Sequence, residues 1–284
     1  MQFMGAVAGV VIPAHNEERV IARTLDRLAA GVSRDDLEVV VVCNGCTDRT
    51  AEVARTAAPW ATVLEVPKPS KAEAVRVGNV AGNVFPRVHL DADVAISGAD
   101  VLNLVQPLRE PGVLATAPQR VLLRDKSSRL VCWFYDVWEQ LPQVRSGLFG
   151  RGVVALSEEG QRRVEALPQL MSDDLGMSEA FGPDERRVVW TAFAEVRAPG
   201  TFRDLLRRRV RVATGNTQAG QADVRRSESS TTWRTLAGLS LRRPGLAPRV
   251  PLFLLVGVVA RLQSRRAVRA GDFTTWLRDE SSRA

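Results

Sequence analysis

VVVVCNGCTDRTAEVA, residues 39–54, joins four consecutive valines to an Asn-Gly turn set between two cysteines, and then to a polar segment with helical character. A continuous apolar run bounded by turn residues is the pattern of a strand covered on both faces, as in a parallel sheet. The segment after it predicts a helix capped by Thr47 or Asp48. The same alternation extends in both directions. Upstream, AVAGVVIPA (6–14) predicts a buried strand, and NEERVIARTLDRLAAG (16–31) a helix with Val20, Ile21, Leu25 and Leu28 near helical spacing, ending at Gly31. Downstream come a strand in ATVLEVP (61–67), a helix in SKAEAVRVGNVAG (70–82) and a strand in VHLDADV (88–94). Strands alternating with helices in short order predict an α/β fold, a Rossmann-like, mostly parallel central sheet flanked by helices. Ligands of such sheets bind at the carboxyl edge of the strands. HNEE, CNGCTD and DAD fall at those edges.

Composition narrows the class further. The 284 residues carry a net charge of +7, but the charge is uneven. From Gly200 onward there are 17 Arg, no Lys and 6 acidic residues, a net of +11, which leaves −4 for the preceding 199 residues. A near-neutral body with a basic tail suggests docking on phosphates or an anionic surface. Three cysteines do not make a secreted disulfide framework, and the start lacks the basic segment of a signal peptide, so a reducing cytoplasm is expected. VPLFLLVGVVA (250–260), with Arg249 and Arg261 at its ends, is too short for a straight span, which takes about 20 residues. Together with Arg265, Arg266 and Arg269 it reads either as a helix lying in the headgroups of an anionic membrane or as a buried C-terminal helix.

The middle of the chain predicts an aromatic-rich helix in SSRLVCWFYDVWEQL (127–141), a loop and strand in FGRGVVALS (149–157), and an acidic turn leading into a helix in SDDLGMSEAF (172–181). Trp133, Tyr135 and Trp138 read as core residues more readily than as ligand contacts. Residues 217–232 read as an exposed loop or linker, which puts a domain boundary near residue 215: a domain over 1–215, with halves of about 1–97 and 98–215, and a basic extension over 216–284.

Asp91 and Asp93, one residue apart on a segment expected to be extended, point to the same side. So placed, they can hold one hard divalent cation whose shell a ligand's phosphate oxygens complete. The two cysteines admit three readings: a redox pair, half of a zinc site, or a turn. There is no second Cys pair, and of the two histidines, His15 and His89, the latter sits in mid-strand. A thioredoxin-type motif opens a helix directly after a strand, as this one does. The favoured reading is the turn.

In order and spacing, VVIPAHNEERVIARTLDRL, VVVVCNGCTDRTAEVA, SKAEAVRVGN and HLDADV resemble the nucleotide-binding half of a family 2 glycosyltransferase with the GT-A fold. The resemblance implies a nucleoside diphosphate sugar donor of UDP, GDP or dTDP type, a hydroxyl acceptor, lipid-linked acceptors included, and Mg2+ or Mn2+ as cofactor. It implies that Pro13 and His15 lie along the base, that Glu17 faces base and ribose, and that Asn44 stands where an aspartate usually reads the pyrimidine edge. Lys71 matches a basic residue facing the diphosphate, and Asp91 and Asp93 match the D-x-D, with Asp93 the metal ligand. Cys46 matches a position commonly filled by Ser, and FGRGVVALS, near Gly150 to Gly152, resembles the family's loop by the acceptor. In SDDLGMSEAF the family's acidic pair becomes Asp173 and Asp174, with Asp174 as general base; an acidic helix cap is the alternative. In LLRRRVRVATGN (205–216), Arg208 and Arg211 match an arginine-rich segment that approaches the diphosphate, with Val212 in place of a Trp. Processive synthases have Gln where Arg208 stands, so one sugar per encounter is implied, with inversion at the anomeric carbon. Two rivals remain: a nucleotidyltransferase on a related sheet, which would want a Gly-rich phosphate loop where HNEE stands, and a non-catalytic protein docking through its tail. The tail lacks the interleaved aromatics of single-strand binders, so no nucleic-acid partner is expected.

Overall fold

The computed structural model describes residues 5–167, 177–178, 180–221 and 232–269. Its chain groups into two compact units. The first comprises residues 1–122, 151–166 and 181–196, and the second residues 123–150, 167–180 and 197–284.

The first unit is built on the predicted alternation: β1 (Ala8–Ala14), α1 (Ile21–Leu28), β2 (Leu37–Asn44), α2 (Thr50–Ala57), β3 (Thr62–Val66), α3 (Lys71–Ala81) and β4 (Arg87–Leu90). β5 (Ala95–Ile96), α4 (Gly98–Val105) and β6 (Ala115–Leu123) follow. Its later pieces supply β7 (Val153–Leu156), α7 (Glu158–Glu165) and β8 (Arg186–Arg197). The strands lie in one sheet in the order β3-β2-β1-β4-β7-β6-β8-β5. The first four are parallel, and β7 joins β4 antiparallel. The valine runs are continuous because both sheet faces are covered. Val10, Ile12, Val39, Val41, Val88 and Leu90 share a core with Ile21, Leu25 and Leu28 of α1 and Val101, Leu104 and Val105 of α4. On the other face, Val40 and Val42 pack with Ala74 of α3. Gly78 lets α3 approach closely, since a Cβ there would lie 2.4 Å from Val11 Cγ1.

Arg87 breaks the apolar rule: it lies in β4 and is 1% exposed. Its guanidinium donates to the carbonyls of Gly82 at 2.9 Å, Asn79 at 3.3 Å and, from Nε, Val84 at 3.2 Å. These are the open carbonyls at and beyond the end of α3, where a cation also meets the negative end of the helix dipole. Glu38 accepts from the backbone N–H groups of Asn83 and Val84 at 2.8 and 3.0 Å, closing the same corner. Arg87→Ala strands those carbonyls and leaves a cavity in the buried corner, and an unfolding free energy lower by about 3 kcal/mol is expected in urea titration.

The second unit contains α5 (Arg129–Trp138), α6 (Pro142–Ser146), α8 (Phe202–Gln221), α9 (Trp233–Arg242) and α10 (Val250–Arg269). Tyr135 and Trp138 are buried, and Tyr135 meets Phe134 and Trp138 edge-on at 5.3 and 5.4 Å, so the aromatic helix forms core. Residues 217–221, expected to be loop, continue α8, and the boundary placed near residue 215 falls inside that helix.

Candidate functional site

Three loops meet at the carboxyl edge of the parallel strands. After β1 the chain turns at Asn16, whose φ of 52° is the left-handed region that Asn tolerates. After β2 it turns at Gly45, also left-handed, where a Cβ would lie 2.6 Å from Pro69 N. The two turns are laced together. His15 Nδ1 lies 2.6 Å from the Asn44 carbonyl, the Asn16 side chain accepts from Thr47 N–H at 2.7 Å, and Glu17 N–H donates to Thr50 Oγ1 at 2.7 Å. Glu18 N–H donates to Asp48, and Glu18 in turn accepts from Arg49 N–H.

These bonds also explain where the helices begin. The helix expected from Asn16 onward starts only at Ile21, because Glu17 to Val20 form a turn whose Glu17 carbonyl accepts from the N–H groups of Val20 and Ile21. The second helix starts at Thr50 rather than after Thr47 or Asp48. Asp48 accepts from Thr50 N–H at 3.0 Å and so acts two residues ahead of the helix.

Asn44 is 3% exposed and ties all three loops. Its Nδ2 donates to the Ala14 carbonyl at 2.8 Å, and its Oδ1 accepts from Ser70 N–H at 3.1 Å. An aspartate has no N–H with which to make the first of these bonds, which gives a physical reason for an amide here. Ser70 then caps α3, accepting from Glu73 N–H at 3.2 Å, and so fixes Lys71 at the start of that helix.

The two cysteines belong to this turn. Cys46 Sγ accepts from Asn16 N–H at 3.4 Å and donates to the Ala14 carbonyl at 3.6 Å. A thiol–thiol hydrogen bond between them is the largest cause that raises Cys43 and lowers Cys46 below an ordinary thiol. Alkylation of Cys46 by iodoacetamide, followed by mass spectrometry, should therefore reach half its plateau rate at a lower pH than an ordinary thiol does. The Cys43→Ala variant, lacking the largest cause of the shift, should move that midpoint upward. His89 does not join them. It is buried in β4 with Nε2 2.8 Å from Gln161 Oε1, and burial holds its imidazole down to about 4, so it is neutral.

Beyond β4 the D-x-D segment corrects an expectation. Residues 91–94 form a turn closed by Val94 N–H donating to the Asp91 carbonyl at 3.0 Å, not an extended segment, so alternation along a strand does not orient the two carboxylates. The turn is held from both sides: Thr24 of α1 donates to the Ala92 carbonyl at 2.8 Å, and Asp91 N–H donates to the Gly152 carbonyl at 2.8 Å. Gly152 is left-handed, and a Cβ there would lie 2.4 Å from Val94 and 3.3 Å from Asp91 Oδ2. Lys71 Nζ lies 2.8 Å from Asp91 Oδ1, with both groups about a third exposed. Arg23 reaches the Asp93 carbonyl at 3.4 Å.

Pro13, His15, Glu17, Asn44, Lys71, Asp91 and Asp93 are thus brought to one sheet edge. Arg208 and Arg211 lie on α8 of the second unit, three residues apart and hence on one helix face, each half-buried. Asp173 and Asp174 lie outside the described residues. Sequence reading missed Arg151, which is 3% exposed and donates to the Pro118 carbonyl at 2.9 Å. Burial, then the nearby Arg120, lowers Arg151 to about 9, which leaves it cationic at neutral pH one residue from the carbonyl that holds Asp91. The signal for it was the Gly-Arg-Gly triplet, with both glycines at positive φ.

The donor set at this edge is chemically consistent with a hard divalent cation. Asp91 and Asp93 offer carboxylate oxygens, and no group of three or more His, Cys, Asp or Glu is found among the described residues, so ligand or water oxygens would supply most of the shell. Lys71 beside Asp91 adds a positive charge facing the same solvent.

Residues 9–131 match the family described as glycosyl transferase family 2, as the resemblance implied. Uncharacterized glycosyltransferases of Mycobacterium tuberculosis and Mycobacterium bovis are each 33% identical to the chain over 116 residues, 41% of this chain and 50% of theirs. The chain therefore spans about half the length of these curated relatives. Among solved structures it resembles the mannosyltransferase PcManGT from Pyrobaculum calidifontis in complex with GDP-Man and Mn2+, with a TM-score of 0.62 at 20% identity over 99% of this chain and 85% of that one. It also resembles glucosyl-3-phosphoglycerate synthase from Mycobacterium tuberculosis in complex with Mn2+, UDP-Glc and phosphoglyceric acid, with a TM-score of 0.57 at 22% identity over 78% and 82%. The fold is that of the GT-A glycosyltransferases.

Proposed function

From a GT-A fold whose residues 9–131 match family 2 glycosyltransferases, we propose that this protein moves a sugar from a nucleoside diphosphate donor to an acceptor hydroxyl. The observation that carries the reading is the Lys71–Asp91 pair at 2.8 Å, set beside Asp93 where the parallel strands end. That edge is where an α/β sheet takes its ligand. One end of it is polar and rigid, built from His15, Glu17 and Asn44. The other carries alternating charge suited to a diphosphate bridged by a cation.

In this reading the nucleotide lies along the loops after β1 and β2, which are already held by their mutual hydrogen bonds and need little reordering on binding. Asp93, with Asp91 beside it, would hold Mg2+ or Mn2+, and the bound cation would supply Lewis-acid stabilisation of the departing diphosphate. Lys71 neutralises diphosphate charge from the protein side, a role that the family resemblance extends to Arg208 and Arg211. Asp174 accepts the proton of the acceptor hydroxyl as its oxygen bonds to the anomeric carbon. The bond from that carbon to the diphosphate oxygen breaks in the same step, and the configuration inverts. A single displacement needs one base and no protein nucleophile. The donor nucleotides in complex with the structural relatives, GDP-Man and UDP-Glc, put both bases in the test set.

Incubation with a panel of UDP-, GDP- and dTDP-sugars, with nucleoside diphosphate release as the readout, tests the proposal. Release from one class, dependent on Mn2+ and abolished by chelation, is expected. Pyrophosphate release from a nucleoside triphosphate and a sugar 1-phosphate, with no turnover of any nucleotide-sugar, would assign the site to nucleotidyl transfer instead.

A further inference from the structure

We propose that α10 is a docking face for an anionic lipid surface, on which the protein lies without crossing the bilayer. The helix has two opposed stripes. Val256, Ala260 and Ser264, each four residues from the next, are buried. That stripe faces the second unit's own helices: Ser264 bonds Thr214 of α8 at 3.1 Å, Phe253 stacks on Phe134 of α5 at 5.1 Å, and Arg249 pairs with Asp136 at 3.1 Å. Two residues out of step, about 200° around the helix, run Leu254, Val258 and Leu262. These are 49, 51 and 54% exposed, and Leu255 beside them is 55% exposed. Large aliphatic side chains aligned over more than two turns and left in water are the mark of an interaction face, not of scattered surface residues.

Charge selects the occupant. Arg266 continues the exposed stripe one turn beyond Leu262, and Arg261 and Arg265 fall on the same side, seven residues after Leu254 and Val258; all three are exposed. Residues 232–269 hold eight arginines and no acidic residue. Two copies meeting through this face would bring like charges together without compensation, whereas an anionic leaflet offers hydrocarbon to the leucines and headgroup phosphates to the guanidinium groups. The segment Pro244–Arg266 is long and apolar enough by composition to cross a membrane. Crossing would, however, strip the buried stripe from α5 and α8, take Ser264 away from Thr214 and put the Ser264 hydroxyl into hydrocarbon. An in-plane helix keeps both stripes satisfied.

Sedimentation of the full-length protein with vesicles tests this without any sugar donor, so its outcome is independent of the transfer reading. The protein should pellet with phosphatidylglycerol–phosphatidylcholine vesicles, stay free of pure phosphatidylcholine vesicles, and be released by alkaline carbonate. Replacing Leu254, Val258 and Leu262 together by Ser should weaken partitioning at least about tenfold. Replacing Arg261, Arg265 and Arg266 by Gln, which leaves the apolar stripe intact, should weaken it about a hundredfold at low salt, near fivefold per charge. Equal pelleting with both vesicle types, retention after carbonate, or a dimer in sedimentation equilibrium that the serine variant abolishes would each overturn the proposal.

Discussion

Asp93→Asn is expected to lower sugar transfer at saturating donor by about a thousandfold or more, near 4 kcal/mol of barrier. The substitution keeps the side chain's size and removes its charge. If Asp91 and Asp93 are the protein donors, as proposed, with Asp91 already opposite Lys71, losing the second removes much of what would hold a dication. Because the leaving diphosphate gains charge as the bond to the anomeric carbon breaks, the loss should appear in kcat more than in KM. The loops after β1 and β2, proposed to take the nucleotide, are left unaltered by this change, so the variant should still bind nucleoside diphosphate, but without enhancement by Mn2+. Transfer within about tenfold of the unaltered protein, still Mn2+-dependent, would remove Asp93 from the metal site.

Asp174→Asn should lower kcat by about a hundred- to ten-thousandfold while leaving nucleotide affinity nearly intact. An amide of the same shape cannot take the acceptor's proton, so the hydroxyl must attack without a base. The two variants separate the halves of the reaction. Asp93→Asn uncouples metal from nucleotide, whereas Asp174→Asn leaves that coupling untouched and stops proton removal. Loss of nucleotide binding in Asp174→Asn would show that the acidic pair in SDDLGM belongs to the donor pocket or to a helix cap, and not to acceptor activation.

What could be read in advance followed from burial. Strands β1 and β2 are covered on both faces, so Val10 to Ile12 and Val39 to Val42 appear as unbroken apolar runs, and the helices around them show their spacing. The order of the first seven elements was therefore legible. The starts of α1 and α2 were not, because Asn16, Asp48 and Thr50 put their side chains into loop-to-loop bonds, and such bonds connect residues about thirty positions apart. The D-x-D segment was read as extended on local pattern, yet Thr24 and Gly152 hold it in a turn from two distant parts of the chain. The antiparallel half of the sheet was equally hidden, since β7 reaches β4 from more than sixty residues away. Asn44 shows the limit of single-residue reading. The sequence marked the position for base recognition, while the structure engages its amide with Ala14 and Ser70, where it ties the loops after β1, β2 and β3 together.

Thermal unfolding in the presence of UDP, GDP or dTDP, each with Mn2+ and again with a chelator, tests the account most directly. One nucleotide should raise the midpoint by about 5 °C or more at a concentration near a hundred times its dissociation constant, and most of that rise should vanish on chelation. No shift with any of the three, or a shift indifferent to the metal, would contradict a cation-bridged diphosphate at the edge formed by Lys71, Asp91 and Asp93.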